Sequence, residues 1–268
     1  VANMEKTRPN NKNGYKCAIN GDGADEIFGG YDRYRFLLIY KRYRFIRKLI
    51  PKVVSFSYKS FLYNLAKLKR LLSEKDIYNA YAQQNLINIG FQGEKLEGMD
   101  YKNEIKERLA SIPIDSLNKF LIYDYKYYLP DDLLVKMDRA SMANSVEGRS
   151  PFLDYRLAEC LSKVSFSAKI SLRKNKKTLR SLFSKNLPIR ILNEKKRGFQ
   201  IPIDYWFLNE LKDEILALKS GPAVKHGYIK KEYIDNIVDA HLSGRENFKF
   251  QIYIILVFDK WYQRWVGK

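Results

Sequence analysis

One short apolar run, leading into a glycine-rich acidic loop, limits the folds open to this chain more than any other feature. The run is CAI at residues 17–19, and the loop at residues 20–31 has the sequence NGDGADEIFGGY. Glycine has no Cβ, so it lets the backbone turn sharply and come close to a ligand. The pattern predicts a short buried strand at residues 16–19 that runs into a nucleotide-handling loop.

Three carboxylates lie within that loop, at Asp22, Asp25 and Glu26. Mg²⁺ prefers hard oxygen ligands and usually bridges to substrate phosphates, so carboxylates at such a turn suit a magnesium-nucleotide site. The alternative is an acidic, calcium-like or merely solvated turn. The EF-hand pattern does not fit, because it needs acidic or amide residues at alternating positions and a distant glutamate.

Elsewhere the apolar residues recur at helical spacing, so the chain is predicted to be mainly α. With one confident strand it cannot build an α/β sheet by itself, and an upstream sheet is expected. We find no internal repeat and no low-complexity linker, which favours one compact unit. After a basic helical stretch to about residue 72, helices are expected at residues 77–89, 101–112, 117–128 (stopping at Pro130), 155–162, 176–186, 203–218, 231–242 and 248–265.

Composition narrows the class of protein further. At 268 residues and 46% hydrophobic content the chain can form a substantial core. It has no transmembrane-length apolar stretch and no signal peptide, and its start at Val1 suggests the interior of a longer protein. Cys17 and Cys160 are too few for a disulfide framework, which fits a reducing cytoplasm. His226 and His241 lie far apart in sequence, which argues against zinc.

The net charge of +19 raises the question of nucleic acid. Residues 33–72 contain twelve Lys or Arg and no Asp or Glu, and residues 163–197 are again crowded with basic side chains. Such fields attract polyanions. However, the first run has helical apolar spacing, and the chain has no zinc-finger, RNP, KH or helix-turn-helix signature. A solvated basic face, or attraction for a multiply charged nucleotide, is the better interpretation.

A second informative stretch, residues 129–156, has charged side chains interspersed among apolar residues at helical spacing. We expect its charged side chains to form buried salt bridges or ligand contacts, because unpaired buried charge is costly. The alternative is a charged network that ties helices together. Ser141 is expected to cap a helix. The charged residues are Asp138, Arg139, Glu147, Arg149 and Asp154, and the core positions at helical spacing are Met137, Met142 and Val146.

Three blocks of the chain together resemble the synthetase domain of glutamine-dependent asparagine synthetases. They are NGDGADEIFGGY, YLPDDLLVKMDRASMANSVEGRSPFLD and, at residues 195–207, KKRGFQIPIDYWF, and they occur in the family's order and approximate spacing. The resemblance implies the C-terminal helical portion of an α/β adenine-nucleotide alpha-hydrolase-like (ATP pyrophosphatase) domain. It also implies ATP and Mg²⁺ as cofactors, and a homodimer as one arrangement of the protein.

The resemblance implies a two-step reaction. ATP activates the side-chain carboxylate of aspartate as an adenylate and releases pyrophosphate. Ammonia from a glutaminase domain then gives asparagine and AMP. By motif match, the nucleotide contacts are Asn20, Gly21 and Gly23, the residue acting on the adenylate is Asp22, the Mg²⁺ ligand is Asp25, the transition-state cation is Lys196, and the supporting residues are Glu26, Asp138, Arg139, Glu147 and Arg149.

The chain departs from the family pattern at three positions in these blocks. Asn20 replaces a common serine, Gly148 a usual alanine, and Ser150 a usual valine. Also missing are the Ser-Gly-Gly-x-Asp-Ser-Ser phosphate loop and the N-terminal cysteine nucleophile, since Cys17 lies within the predicted strand. Residues 1–268 are therefore expected to be a partial synthetase domain that lacks glutaminase activity and is inactive alone.

Two further interpretations stay open. The same fold could amidate or cyclise another carboxylate, such as a uronic acid or a peptide. The acidic Asp22 favours the synthetase over the lactam-forming branch, which resembles it but has tyrosine there. The third interpretation is a non-catalytic basic helical module that binds a partner or a polyanion.

Overall fold

The chain forms two compact units. The computed structural model describes residues 14, 16–49, 68–69, 71–85, 101–114, 117–194 and 202–267. Unit 1 comprises residues 1–42 and 103–199, and unit 2 comprises residues 43–102 and 200–268. The prediction of one compact unit was therefore wrong. Two of the boundaries fall inside helices, Asp32–Tyr43 and Tyr101–Ala110, so no Gly-, Ser- or Pro-rich linker marks them in the sequence.

Unit 1 contains a two-stranded parallel sheet. Strand β1 (Cys17–Ile19) pairs with β2 (Glu147–Arg149), with Cys17 opposite Glu147 and Ile19 opposite Arg149. Its helices are α1 (Ala24–Phe28), most of α2 (Asp32–Tyr43) and of α4 (Tyr101–Ala110), α5 (Asn118–Tyr123), α6 (Val135–Met142), α7 (Tyr155–Ser162), α8 (Phe166–Lys169), α9 (Lys177–Leu182) and α10 (Ile189–Asn193).

The sheet differs from the sequence prediction in two ways. The strand at residues 17–19 is confirmed, but it is exposed rather than buried, with Ile19 79% accessible. Within the described residues β1 has one neighbouring strand, so little covers its faces. The second strand, β2, was not predicted. Its sequence, Glu-Gly-Arg, has no β-branched or aromatic residue and so carries no strand signal.

Helix α1 is the centre of unit 1. It contacts α5, α7, α9 and the short 3₁₀ turn Pro151–Leu153. Its apolar residues Ile27 and Phe28 are buried with Leu161, and the Phe28 ring meets the Phe152 ring edge-on, with centroids 5.9 Å apart. The glycine loop therefore leads into a five-residue helix that is packed on several sides.

A continuous helical segment crosses Pro130, where the sequence predicted a stop. Helix α5 passes directly into a π-helix, Asp124–Leu134, and then into α6. In an α-helix a proline removes one hydrogen bond and its ring clashes with the carbonyl four residues earlier. The wider π turn changes that register, so Pro130 is accommodated rather than terminating the helix.

Unit 2 is an apolar helical assembly centred on its last helix. It contains the 3₁₀ turns Arg44–Lys48 and Leu218–Ser220, and helices α3 (Ile77–Asn85), α11 (Ile203–Leu208), α12 (Lys212–Ala217), α13 (Pro222–Lys225), α14 (Lys231–Leu242) and α15 (Lys249–Trp265). Helices α11 to α14 contact α15. The buried cluster includes Phe207, Ile215, Ile234, Ile237 and Ile252.

The predicted helix at residues 203–218 is broken in the structure. Asn209 leaves the helical region and its side-chain Nδ2 donates to the carbonyl of Tyr205 at 2.7 Å. A side-chain amide that bonds local backbone competes with the helix, which explains the break. Helices α7 and α14 match the predicted bounds, whereas residues 50–67 of the predicted basic helical stretch lie outside the described residues. Among described residues, no helix has the length and apolarity needed to cross a membrane.

Candidate functional site

The loop after β1 forms a tight turn that is bonded to β2. The Asn20 backbone N–H donates to the carbonyl of Arg149 at 2.8 Å, which extends the parallel ladder by one residue. The Asn20 side-chain Oδ1 in turn accepts from the backbone N–H of Asp22 at 3.1 Å. Asp22 is thereby held just beyond the carboxyl end of β1, the position at which parallel sheets bind ligands.

The glycines of this turn have different roles. Gly23 has φ 87°, and a Cβ there would lie 2.6 Å from Cδ2 of Leu153, so only glycine fits. Gly21 is exposed, and a Cβ placed on it would meet nothing within 4 Å. The backbone at Gly21 is therefore open to approach by another molecule, while the backbone at Gly23 is closed by protein.

Asp25 forms an ion pair that the sequence did not predict. Its Oδ1 lies 2.8 Å from Nζ of Lys176, and both side chains are about three-quarters buried. The pair lies directly over Gly30, where a Cβ would come within 1.6 Å of the Asp25 Oδ1 and 2.5 Å of the Lys176 Cε. Lys176 itself has φ 53°, an unfavourable backbone region for a lysine. No signal in the sequence distinguishes it from the surrounding lysines.

Glu26 faces the protein interior. It is 1% exposed, and the hydroxyl of Tyr31 donates to its Oε1 at 2.5 Å. Burial raises the pKa of the Glu26 carboxyl, and burial likewise raises that of the Tyr31 hydroxyl. Because its carboxyl is enclosed and hydrogen-bonded within the fold, Glu26 holds α1 in place rather than facing the open turn.

A buried ionic cluster fixes α2 to the π-helix. Arg33 Nε donates to Oδ2 of Asp124 at 3.0 Å, and the Tyr34 hydroxyl donates to the same oxygen at 2.5 Å. The Arg33 guanidinium also lies 4.2 Å from the ring centroid of Tyr31 and 4.5 Å from that of Tyr128. Cation–π contacts of this kind help to stabilise a desolvated arginine. Sequence reasoning missed this cluster because Arg33 and Asp124 are 91 residues apart.

A small cavity of about 50 Å³ adjoins α1 and is lined in part by Glu26 and Lys169. The Lys169 Nζ donates to Oδ1 of Asn118 at 3.4 Å, and Nδ2 of Asn118 donates to the carbonyl of Val164 at 2.9 Å. Burial lowers the pKa of Lys169 to about 8. This buried lysine was also missed, because it lies in a basic run that predicts a solvated face.

The charged residues of the second stretch are exposed, so the predicted buried salt bridges are not found. Glu147 and Arg149 pair with each other on β2 at 3.0 Å, with both side chains about 60% exposed, and Asp138 and Arg139 are exposed on α6. The bond from Arg149 lowers the pKa of the Glu147 carboxyl. Asp154 caps α7 by accepting from the backbone N–H of Arg156 at 2.9 Å. Solvent reaches these charges because of where they lie. Glu147 and Arg149 are on the exposed strand β2, Asp138 and Arg139 are on the exposed side of α6, and Asp154 directly precedes α7.

Two further predictions for this stretch were wrong. Ser141 does not cap a helix start; it lies inside α6, is 2% exposed, and its Oγ donates to the carbonyl of Asp138 at 3.1 Å. Met142 is 57% exposed, although Val146 is buried as expected. The helix ends at Met142, and the helical spacing that suggested a common face therefore does not continue to Val146.

The Asn20 side chain lies next to both of the other positions that the resemblance marks as departures from the family pattern, Gly148 and Ser150. Ser150 Oγ donates to Oδ1 of Asn20, and a Cβ on Gly148 would lie 3.3 Å from Nδ2 of Asn20 and 3.5 Å from Cε of Met137. The asparagine side chain at position 20 is larger than the serine common in the family. A Cβ at position 148 would therefore make a tight contact with it. A valine at position 150 could not donate the bond that Asn20 accepts. Asn20 is therefore the residue that positions 148 and 150 share as a neighbour.

The sequence model of the asparagine synthase family matches residues 8–263, which is nearly the whole chain. The chain belongs to the asparagine synthase family. Membership in this family also accounts for the fold, because its domain has the adenine nucleotide alpha-hydrolase-like architecture, of which the described residues form a mainly helical portion.

Curated relatives extend this comparison. Glutamine-hydrolyzing asparagine synthetase 1 of Bacillus subtilis (strain 168) is 28% identical over 252 residues, covering 91% of this chain and 40% of the relative. Glutamine-hydrolyzing asparagine synthetase 3 of the same organism is 23% identical over 242 residues, covering 87% of this chain and 34% of the relative. Amidase chry2 of Gibberella zeae is 23% identical over 274 residues, covering 87% and 39%.

The chain spans between 34% and 40% of the length of these three curated relatives. No solved structure matches it significantly. Of the site residues that the family resemblance implied, Lys196 lies outside the described residues. Asn20, Gly21, Asp22, Gly23 and Asp25 are brought together in one turn at the end of β1.

Proposed function

We propose that the protein containing this chain is an ATP-dependent, AMP-forming amide ligase that converts aspartate to asparagine with ammonia from glutamine. Family membership supports the class of reaction. The observation that carries the proposal is the glycine turn after β1, which combines an open backbone at Gly21 with the carboxylates of Asp22 and Asp25. Nucleotides bind beyond the carboxyl ends of parallel strands, where this turn lies.

The residues of the turn suit a magnesium nucleotide. Mg²⁺ keeps several waters and takes one or two carboxylates together with substrate phosphates. Asp25 would supply one carboxylate, whose Oδ1 is paired with Nζ of Lys176 at 2.8 Å in this structure, so Mg²⁺ would have to replace the lysine ammonium there. Bound Mg²⁺ would neutralise phosphate charge. Asn20 and Gly21 would contact the nucleotide mainly through backbone, whereas Gly23, which the resemblance also implied as a contact, is covered by Leu153 and would shape the turn instead.

Other residues take the chemical roles in the proposal. Asp22 acts in formation or consumption of the acyl-adenylate, in which a carboxylate oxygen has bonded to the α-phosphorus as pyrophosphate leaves. Lys196 stabilises the negative charge that develops on phosphate, as a positioned cation can. Four exposed charged residues support substrate binding in this proposal. They are Glu147 and Arg149 on β2 and Asp138 and Arg139 on α6.

We further propose that the rest of the polypeptide completes the enzyme. The phosphate-binding loop and the glutaminase domain with its cysteine nucleophile would lie outside residues 1–268. The share of the relatives' length that this chain spans, about 40%, leaves room for both. Ammonia would reach the adenylate from that glutaminase domain, attack its acyl carbon and release AMP.

A second candidate acceptor is a carboxylate other than that of aspartate. The likeness to amidase chry2 of Gibberella zeae favours it, because that relative is named as an amidase rather than as an asparagine synthetase. A second point in its favour is the neighbourhood of Asn20 with Gly148 and Ser150 at the edge of the turn, the three positions that the resemblance marks as departures from the asparagine synthetase pattern. Measuring pyrophosphate release with aspartate, with uronic acids and with peptides separates the two candidates.

The proposal is tested in the intact protein with three variants. Lys196→Ala should slow adenylation by at least about two orders of magnitude, the effect of removing one transition-state stabiliser. Asp25→Asn should raise the magnesium requirement. Asp22→Asn should leave that requirement nearly unchanged and slow positional-isotope exchange in ATP. Pyrophosphate release at the parent rate in all three variants would contradict the assignment. Glutaminase turnover serves as the internal control.

A further inference from the structure

A basic pocket in unit 1 gathers positively charged side chains that have no role in the proposed ligase reaction. The two basic runs of the sequence meet there, although they are about 130 residues apart. The pocket has a volume of about 540 Å³. The first run contributes Lys41 and Arg42 from α2, and the second contributes Arg173 and Lys177. We propose that this pocket binds a small molecule that carries two or more phosphate groups.

The charge of the pocket has one sign. The residues that line it include four cations and no carboxylate. Lys177 Nζ donates to the carbonyl of Ser167 at 2.7 Å, which orients the amine without neutralising it. A concave surface lined by one sign of charge concentrates the opposite ion, and mutual repulsion of the cations is relieved when that ion binds. Lys41, Arg173 and Lys177 alone carry three positive charges, of which a single carboxylate would balance one and two phosphates would balance most.

The walls of the pocket are held in place by bonds within unit 1. Arg35 on α2 donates to the carbonyl of Leu172 from Nε at 3.1 Å and from Nη2 at 2.7 Å, which ties the segment after α8 to α2. Ile170 is 1% exposed and forms an apolar floor with Leu38 and Leu172. A pre-formed pocket of several hundred Å³ with an apolar floor and a charged rim fits a small ligand better than a nucleic-acid duplex.

This pocket is distinct from the candidate nucleotide turn. None of the residues that line it belongs to the turn at Asn20–Asp25, and the nearest in sequence to the Asp25 ion pair, Lys177, follows the paired Lys176. The proposal does not depend on the ligase assignment.

The test uses the intact protein and inositol hexakisphosphate, a ring with six phosphates that cannot donate an adenylyl group. Isothermal titration at moderate salt should show one site in the parent. The pocket pair Lys41→Glu with Arg173→Glu should weaken binding at least tenfold. The matched control pair is Lys163→Glu with Arg190→Glu, which makes the same change in net charge at exposed positions outside the pocket. It should weaken binding less than threefold.

Equal weakening by both pairs, or parent binding that never saturates at one site, would show diffuse attraction to a basic surface and overturn the proposal. If the charge-reversed pocket pair fails to fold, Lys41→Gln with Arg173→Gln is used instead and compared with Lys163→Gln and Arg190→Gln. ATP-dependent pyrophosphate release is measured in parallel. The pocket pair should leave it unchanged, so a failure of the ligase proposal and a failure of the pocket proposal give different results.

Discussion

The two units reach a folded state by different means. Unit 2 buries a mainly apolar interior around the seventeen-residue helix α15, in which His241 and Asp259 are the buried polar side chains among the described residues. Unit 1 is organised around the five-residue helix α1, and its interior includes Glu26, Asp124 and Lys169 as well as apolar side chains. Short helices have little intrinsic stability, so α1 depends on tertiary contacts.

The two interiors suggest different roles. Unit 2 contributes mainly stability, whereas unit 1 holds the side chains of the candidate site in one geometry. Unit 2 gains most of its stability from the burial of apolar area. Substitutions at its surface are therefore tolerated, because they leave that buried area unchanged. In unit 1, glycines let side chains approach the backbone, and buried polar groups are individually bonded, for example Asp124 to Arg33 and Tyr34. Such networks specify one geometry but lose stability when any member is removed. Hydrogen exchange, read separately for peptides of each unit in the intact protein, measures this contrast.

The largest effect is expected in the core of unit 2. Phe207 is fully buried, so Phe207→Ala should lower the free energy of unfolding by about 3–5 kcal/mol, from lost apolar burial and the cavity left behind. Exchange should accelerate throughout helices α11 to α15. The control is Tyr205→Ala on the same helix, where the side chain is 58% exposed. Comparable acceleration in both variants would remove the distinction between core and surface.

A smaller loss is expected from one methyl group in unit 1. In Gly30→Ala the new Cβ would overlap the Asp25 carboxylate and the Lys176 side chain, so their ion pair must separate. The atoms that the Cβ meets lie near the ends of side chains that can move aside, so the expected cost is that of losing the ion pair, about 1 kcal/mol. Exchange should rise in α1, with little change in α15. Gly21→Ala is the control for folding, because its Cβ meets nothing within 4 Å. Equal stability of the two variants would mean that the Asp25 pair does not hold the loop.

Alkaline pH should stabilise unit 1 through Lys169. Burial lowers the pKa of this lysine to about 8 from 10.5, so between those values the unfolded chain binds the proton and the folded chain does not. Stability therefore rises with pH across this window. Lys169→Met should abolish that rise, and exposed Lys185→Met should preserve it. Denaturant unfolding at pH 7.5, 9 and 10.5 measures the difference, and parallel curves for parent and Lys169→Met would contradict it.

Mild acid should destabilise unit 2 slightly through His241. This histidine is 7% exposed, its ring meets that of Phe207 edge-on, and burial lowers its pKa from 6.5. As pH falls below 6.5 the unfolded chain takes up the proton first, so stability decreases. His241→Leu should remove this acid sensitivity from exchange in α14 between pH 7 and 5.5. Replacement of the exposed His226 by Gln is the control. Retention of the sensitivity in His241→Leu would assign it to another group.

Local sequence patterns predicted the secondary-structure elements around the candidate turn more completely than the contacts between them. The strand, the glycine turn and the exact bounds of α7 and α14 followed from local patterns of glycine and apolar spacing. The ion pair of Asp25 with Lys176 and the bond of Arg33 with Asp124 did not, because they join residues far apart in sequence. Periodicity also cannot show that Pro130 lies in a π-helix, since that depends on how the neighbouring turns are packed.

The amino-acid sequence by itself determined the mainly helical character, the glycine turn with its carboxylates and the family, since each rests on residue types at short spacing. Only the tertiary structure decided that Glu26 is buried while Glu147 is exposed, and that two basic runs form one pocket. Local propensity fixes which backbone shapes are accessible. The environment of a charge depends on which distant segments pack against it, and no spacing within one segment contains that information.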